Sequence, residues 1–426
     1  MRGSFYATLT LTLTLTLSLK GEGTPRRLSF LRRQESLGTR CFDTKGRLKM
    51  DYELTEEQKI LQNSAADFLK KECPKELVRQ LAETDEKYSP ELWRKMAELG
   101  WMGLHLPEEY GGTDWSFLNM AVLLEEMGYN ICPGPFISTT LLGCVPVLES
   151  GTEDQKQEIL PKVANGELIL TMALTESDGG YEPAALKVKA VQEDDEWVID
   201  GVKLFVTDAS VADYILCVAR TSDTSDPAEG LTLFLVKRDH PGVTVTPLKT
   251  ISHDNQCEVA FEKVRVAASS VIGQVDQAWP IVKAALDKAA VARAAETVGA
   301  MRAALELSLA YSKERVQFGR PIGSYQAMQH YMADMWVDIL GTRNLVLQAA
   351  WKLSIGEPAG KEVSMAKIRA GELGRKTTTV GHRIFAGIGF TMEHDLHLYH
   401  RRTVAADMAF GDADFHHEQV AKSLGL

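Results

Sequence analysis

The residues best equipped for chemistry in this chain lie in the run ERVQFGRPIGSYQAMQ, residues 314–329. Arg315 carries a planar, permanent cation whose fork matches two oxygens of a pyrophosphate. Phe318 adds a flat apolar face, and Gly319 with Pro321 makes the chain stop and turn. A plain helical hairpin with a positively charged C-cap would use the same residues, so this run alone leaves both readings open. Three other segments offer related chemistry. ALTESDGG, residues 173–180, follows an apolar strand and supplies a Thr hydroxyl and successive backbone N–H groups, suited to polar ring atoms or phosphate oxygens, or simply to a strand exit. In LFVTDAS, residues 204–210, alternation places Phe205 and Thr207 on one face, where Phe205 could equally be core. GHRIFAGIGFTMEHDLHLYHRR, residues 381–402, holds Gly387 and Gly389, which permit close backbone approach. Its His382, His394, His397 and His400, with His416 and His417 beyond, lack a coherent set of carboxylate or Cys partners, so no metal site is expected.

Two kinds of element must position these segments. From residue 55 to about 166, Ile60, Ala65, Phe68 and Leu69, then Leu92, Met96 and Leu99, recur at the spacing of amphipathic helices, and Thr55-Glu-Glu-Gln58 forms a capping box that opens the first. Residues 106–115 interrupt them with a Gly111-Gly112 turn. Between about 168 and 271 the period becomes two. Asp200-Gly201, between two apolar runs, predicts a hairpin turn with LFVTDAS on its return strand. LTLFLVKRD, GVTVTPLK and CEVAFEKVRV add strands toward a compact β-barrel or sandwich. Beyond Ala278 the stripe Val291, Ala295, Val298, Met301, Leu305, Leu309 restores the helical period of a bundle. The expected architecture is therefore α+β and multidomain: an N-terminal all-α domain over 50–166, a middle β-domain over 167–275, and a C-terminal four-helix bundle over 276–426.

Composition narrows the functional classes. With 45% apolar and 25% charged residues, the 426-residue chain is an ordinary globular protein with room for two or three domains. Six scattered cysteines without a C-x-x-C pair argue against a disulfide framework and suit a reducing compartment. The net charge of −11, with no basic stripe interleaved with aromatics, argues against nucleic acid, and no run of about twenty apolar residues predicts a membrane span. Residues 1–49 stand apart: seven Arg and three Lys against three acidic residues give +7, leaving −18 for the remainder. The alternation TLTLTLTLTL is low-complexity, and the leader is read as a mis-assigned start with translation beginning at Met50; an Arg-rich, acid-poor transit peptide is the alternative. Accordingly a bacterial cytoplasmic setting is expected, with the mitochondrial matrix as the alternative.

The motifs together resemble one family. Arg315-x-x-Phe318-Gly319-x-x-Ile322 followed by Gln326 is similar to the flavin-binding signature of the acyl-CoA dehydrogenases, and Pro107-Glu-x-x-Gly111-Gly112 resembles the N-terminal domain of that family. The helix, strand, helix order extends the resemblance over essentially all of residues 50–426. It implies FAD as cofactor and an acyl-CoA substrate oxidised to the α,β-enoyl thioester. By this likeness Leu174, Thr175, Phe205 and Thr207 lie at the flavin ring, while Arg315, Gln317, Phe318, Gln326, Arg383 and Gly387 hold the rest of the nucleotide. Two departures weaken the match: Tyr181 stands where a Ser contact is usual, and Arg383 and Ala386 replace the Gln and first Gly of the family's Gln-x-x-Gly-Gly-x-Gly-Phe loop. That loop reaches a neighbouring subunit's flavin, so the resemblance implies an oligomer, a homo- or heterotetramer with a paralogous subunit. Electron-transfer flavoprotein is the implied electron acceptor.

The carboxylate that should remove the α-proton is missing. The usual Glu of a Tyr-Glu-Gly turn falls at Phe410, the minority position on the long helix falls at Ala289, and the Arg that follows that position is Ala290, with Arg293 one turn on. The chain thus resembles base-lacking subunits of two-gene bacterial dehydrogenases acting on bulky, cyclic or dicarboxylic acyl-CoAs. A non-catalytic flavin-binding subunit, an enzyme of changed chemistry such as elimination, and Asp412 or Asp414 as a substitute base are the rival readings. Deleting residues 1–49 is expected to leave solubility and flavin content unchanged; loss of either in the truncated protein would assign the leader a structural role.

Overall fold

The computed structural model describes residues 50–426 and, before them, only a two-residue antiparallel ladder pairing Cys41–Phe42 with Leu48–Lys49. The other expectations for the leader lie outside the described residues. Among the described residues six α-helices come first: α1 Glu56–Glu72, α2 Lys75–Ala82, α3 Pro90–Glu98, α4 Phe117–Asn130, α5 Cys144–Ser150 and α6 Glu153–Ala164. The Thr55–Gln58 capping box is formed, with Thr55 Oγ1 accepting from the Gln58 N–H (3.2 Å) and Gln58 Oε1 from the Thr55 N–H (3.1 Å). Thr152 and Gln155 repeat the device at α6.

Helix α4 is buried on nearly every side, which a single amphipathic stripe would not produce. It crosses α7, Trp279–Glu314, through two facing glycines. A Cβ on Gly128 would fall 1.9 Å from the Glu296 carbonyl oxygen, and one on Gly299 would fall 1.9 Å from that of Glu125. At this crossing Glu125 and Glu126 are buried but satisfied. Arg302 Nη1 lies 2.6 Å from Glu125 Oε1 and 2.8 Å from Glu126 Oε1, and Arg343 Nε lies 2.8 Å from Glu125 Oε2.

The middle domain is one eight-stranded sheet of β1 Leu170–Ala173, β2 Lys189–Glu193, β3 Glu196–Thr207, β4 Tyr214–Arg220, β5 Leu231–Lys237, β6 Val243–Leu248, β7 Gln256–Ala267 and β8 Val271–Ile272. Its order is β8-β5-β4-β2-β3-β7-β6, with β1 parallel to β4 off that path. It carries its own core, including Trp197, Ile199, Val206, Phe234, Val259 and Phe261.

The Asp200-Gly201 hairpin is not formed. Both residues lie inside β3, and the turn falls at Asp194 and Asp195, between the paired Glu193 and Glu196. Gly201 serves another need: it sits at a register shift with φ +143°, and a Cβ there would meet Val188 Cγ2 at 2.8 Å.

After α7 come α8 Gln326–Ser354, α9 Gly360–Phe385, α10 Leu396–Met408 and α11 Ala413–Ser423. Helices α7 to α10 pack together as the bundle, with α11 against α9. The main core runs unbroken from Leu61 on α1 to Val380 on α9, so the helical regions share one interior. Gly299→Ala must spread α4 from α7 and is expected to cost about 1–3 kcal/mol or more. An unchanged urea-unfolding midpoint would contradict this account of the crossing.

Candidate functional site

At the exit of β1, Leu174 and Thr175 are half-buried, and the Leu204 N–H donates to the Thr175 carbonyl (2.8 Å). Among the described residues no hydrogen bond engages the Thr175 N–H or hydroxyl. The turn beyond is pinned by Glu176, which accepts from Lys203 Nζ (2.6 Å) and from the backbone N–H groups of Lys187 (2.9 Å) and Val188 (3.0 Å). Lys203 is wholly buried and donates as well to the Leu174 carbonyl (3.1 Å), so a buried cation is matched to a carboxylate and a strand end. Two residues later β3 bulges: the register shifts between Lys203 and Val206, and Phe205 takes φ +53°. Val206 enters the sheet core, Phe205 is left 59% exposed, and Thr207 is half-buried with its hydroxyl engaged by the Gln256 side chain (3.1 Å).

The bundle gathers a second group. After α7, Val316–Gln317 pairs with Arg320–Pro321, so Phe318 (φ +52°) and Gly319 (φ +83°) form a two-residue hairpin tip. Phe318 is 93% exposed, and Arg315, Gln317 and Gln326 are exposed beside it. Tyr311 stacks on Phe385 with ring centroids 4.4 Å apart, which draws this hairpin toward the loop after α9. There Arg383 and Gly387 are exposed, and a Cβ on Gly387 would meet nothing within 4 Å. Among the described residues no hydrogen bond joins this group to Leu174, Thr175, Phe205 or Thr207.

The turn after α10 is unusually constrained. Phe410 has φ +60° and Gly411 φ +102°, a conformation that costs a non-glycine residue about 1–2 kcal/mol. Lys367 on α9 holds it by donating to the carbonyls of Ala406 (2.9 Å), Asp407 (2.8 Å) and Gly411 (2.9 Å). Burial pulls the Lys367 pKa down to about 8. His416 adds Nε2 to the Phe410 carbonyl (3.1 Å) and Nδ1 to Ser364 Oγ (3.1 Å), and burial lowers its pKa to about 4. The Phe410 N–H has no hydrogen-bond partner among the described residues. Its side chain packs half-buried on the main core, and Ala289 is fully buried. Asp412 Oδ1 accepts from the Phe415 N–H (2.9 Å) and so caps α11. The Tyr181 hydroxyl donates to the Met408 carbonyl (3.0 Å), joining the loop after Thr175 to this turn.

Sequence reasoning passed over the polar chamber at the end of β3. It measures about 40 Å³ and is walled by Thr207, Asp208, Arg293, Glu296 and Arg402 together with the segment from Cys132 to Ile137. Asp208 accepts from Ser138 Oγ (2.6 Å), and burial pushes its pKa up to about 7. Only their places within the segments 204–210 and 381–402 could have drawn notice to Asp208 and Arg402. Lys367 had no sequence signal, because its partners lie 39 to 44 residues away. Among the described residues no group of His, Cys, Asp and Glu could hold a metal ion, and no helix is long and apolar enough to cross a membrane.

Comparison with known proteins accounts for nearly all of the described chain. Residues 55–167, 171–264 and 276–425 match the sequence profiles of the acyl-CoA dehydrogenase N-terminal, middle and C-terminal domains. A short-chain-specific acyl-CoA dehydrogenase from Clostridium acetobutylicum is 32% identical over 351 residues, covering 81% of this chain and 92% of that protein. The structure of butyryl-CoA dehydrogenase from Megasphaera elsdenii superposes with a TM-score of 0.82 at 28% identity, covering 88% of this chain and 100% of that one. The ChsE4-ChsE5 complex from Mycobacterium tuberculosis contains a chain with a TM-score of 0.80 at 26% identity, with 88% and 99% covered.

The neutral His416 gives a pH test. Its folded pKa of about 4 lies below the ordinary 6.5, so the unfolded chain takes up the proton first. The His416 contribution is present above pH 6.5 and is lost as pH falls toward about 4. His416→Gln is expected to flatten that part of the stability curve, read by urea unfolding at successive pH values. An unaltered slope would contradict the burial of a neutral ring.

Proposed function

The chain belongs to the acyl-CoA dehydrogenase family, and on that premise we propose that it is an FAD-binding subunit of an enzyme that dehydrogenates an acyl-CoA thioester at the α,β-carbons. The observation that carries this reading is the Phe410–Gly411 turn: held in positive φ by Lys367 and His416, with a free N–H and no carboxylate.

The residues present fit the flavin nucleotide. The Thr175 hydroxyl and N–H are free to meet polar ring atoms, and the fully exposed Phe318 face and the Arg315 guanidinium await an aromatic group and a pyrophosphate. Gly387 leaves open space for close backbone approach. FAD, when bound, supplies the acceptor for the β-hydride. Because the sheet residues, half-buried apart from Phe205, and the exposed bundle-end residues form two separate groups, a second subunit is needed to close a site around one extended nucleotide. We infer a homo- or heterotetramer, with electron-transfer flavoprotein as electron acceptor; a bacterial cytoplasmic setting suits this assignment.

In the reaction this chain's own part is binding and polarisation. The free Phe410 N–H can donate to the thioester carbonyl and so acidify the α-carbon, while the Lys367 and His416 contacts keep that donor from rotating away. Phe410 and Ala289 cannot accept the α-proton, so a partner subunit must bring the carboxylate. Asp412 remains the internal alternative, although its Oδ1 already caps α11. A purely structural flavin-binding role would need none of the polarising geometry at Phe410.

Arg315→Ala is expected to release FAD by removing a charge-assisted contact worth roughly 1.5–3 kcal/mol. The check is the flavin absorbance of gently purified protein; a wild type without flavin would refute the assignment. Unaided, the chain should reduce its flavin with saturated acyl-CoA at least about 10²–10⁴-fold more slowly than a complete enzyme, and Phe410→Glu should recover part of that loss. Prompt bleaching by the unaltered chain would overturn the base-lacking assignment, and Asp412→Asn would then show whether Asp412 has taken the role.

A further inference from the structure

The polar chamber beside Thr207 is an odd lining for a site that takes acyl groups. Its cations come from the two helices on which the absent base would stand: Arg293 lies one turn beyond Ala289 on α7, and Arg402 lies on α10, which leads into the Phe410 turn. Arg293 also lies close enough to Lys367, the clamp of that turn, to disfavour its charge. Thr207, the last residue of β3, and Asp208 after it complete the polar lining. The chamber therefore sits where the far end of an acyl group would arrive, if its thioester were polarised at Phe410 and its β-carbon faced the sheet.

The hydrogen-bond donors there are not all matched. Arg293 Nη1 pairs with Glu296 Oε2 at 2.6 Å, which uses that carboxylate, and the Arg293 Nε is buried without a partner. Asp254 in the lining attracts Arg402 through space, but its oxygens are taken by donors from Thr250 (2.6 Å), Gln256 (3.0 Å) and Ser252, and it makes no hydrogen bond to Arg402. Asp208 has its pKa raised to about 7 by burial and receives the Ser138 hydroxyl. Arg402 makes no hydrogen bond or ion pair among the described residues, and its Nε is buried without a partner. The Arg402 side chain is only partly buried, and its Nη groups, which have no acceptor among the described residues, are free to donate to an anion in the chamber. A space of about 40 Å³ has room for a carboxylate or roughly two or three waters.

Building on the acyl-CoA reading above, we propose that this chamber binds a carboxylate at the distal end of the acyl group, with Arg402 as its principal partner and Arg293 as the second. The substrate class is thus the CoA thioester of a dicarboxylic acid, not of a simple fatty acid. Specificity arises because a saturated methyl terminus gives the Arg402 fork no acceptor, whereas a carboxylate meets it through two parallel hydrogen bonds.

The test uses full-length, flavin-loaded protein and calorimetric titration with succinyl-, glutaryl- and adipyl-CoA beside butyryl-, valeryl- and hexanoyl-CoA. At least one dicarboxylic thioester should bind ten-fold or more tightly than the monocarboxylic one of equal chain length. Arg402→Gln should erase that preference by weakening the dicarboxylic thioesters, and Arg402→Lys should keep part of it. Equal or tighter binding of the monocarboxylic thioester at every length overturns the inference and leaves the acyl-CoA reading intact. Failure of every thioester to bind overturns both. Should Arg402→Gln not fold, the wild-type pairs still decide: a preference that survives unchanged in high salt and after Arg402→Lys would overturn the role of Arg402.

Discussion

The glycine-on-glycine crossing of α4 and α7 is the constraint from which the helical architecture follows. With Gly128 and Gly299 facing each other, backbones approach to a distance that any Cβ would forbid. Burial at that contact brings Glu125 and Glu126 out of water, and Arg302 from α7, Arg343 from α8 and the Gln62 amide from α1 make this tolerable. Ridge-and-groove packing alone would allow α4 to slide along α7. The ion pairs remove that freedom, because a shift of one turn would leave two carboxylates buried without cations. The same crossing sets Glu296, and through it Arg293, against the chamber at the end of β3.

Buried lysines repeat this logic at the two edges of the candidate site. Lys203 ties Glu176 to the Leu174 carbonyl, so the strand exit bearing Thr175 is rigid although its own N–H and hydroxyl are unspent. Lys367 gives its three donors to three carbonyls around the Phe410 turn. Lys203 is held by a carboxylate and a backbone carbonyl and Lys367 by three carbonyls, which makes each a fastener and not a reagent. Arg402 is the contrast: equally desolvated at Nε, it has been given nothing to hold.

The bundle end follows a different rule, that of surface without a partner. Phe318 and Phe390 are 93% and 70% exposed, and the Tyr311–Phe385 stack aligns their loops. Large aromatic faces left in water at a hairpin tip and at the end of a 3-10 turn carry a hydrophobic penalty that a ligand or a neighbouring chain would relieve.

Local chemistry determined much of this protein. The Thr55 capping box, the change of period from helix to strand and back, and the Phe318-Gly319 turn depend on residues within a few positions of one another, so they were legible in the sequence. So was the lack of a carboxylate at Phe410 and Ala289. What depends on partners distant in the chain was not legible. Asp200-Gly201 has the composition of a turn, yet pairing with β7 and the press of Val188 kept it inside a strand. A bulge between Lys203 and Val206 set which way Phe205 faces, where alternation alone would have sufficed in an isolated strand. Whether Lys367 is a clamp, Asp412 a cap or Arg402 an unmatched charge depends on which backbone atoms the folded chain delivers to them. Only the tertiary structure decided that, because the energy of a buried polar group is fixed by the partners it meets after water has been removed.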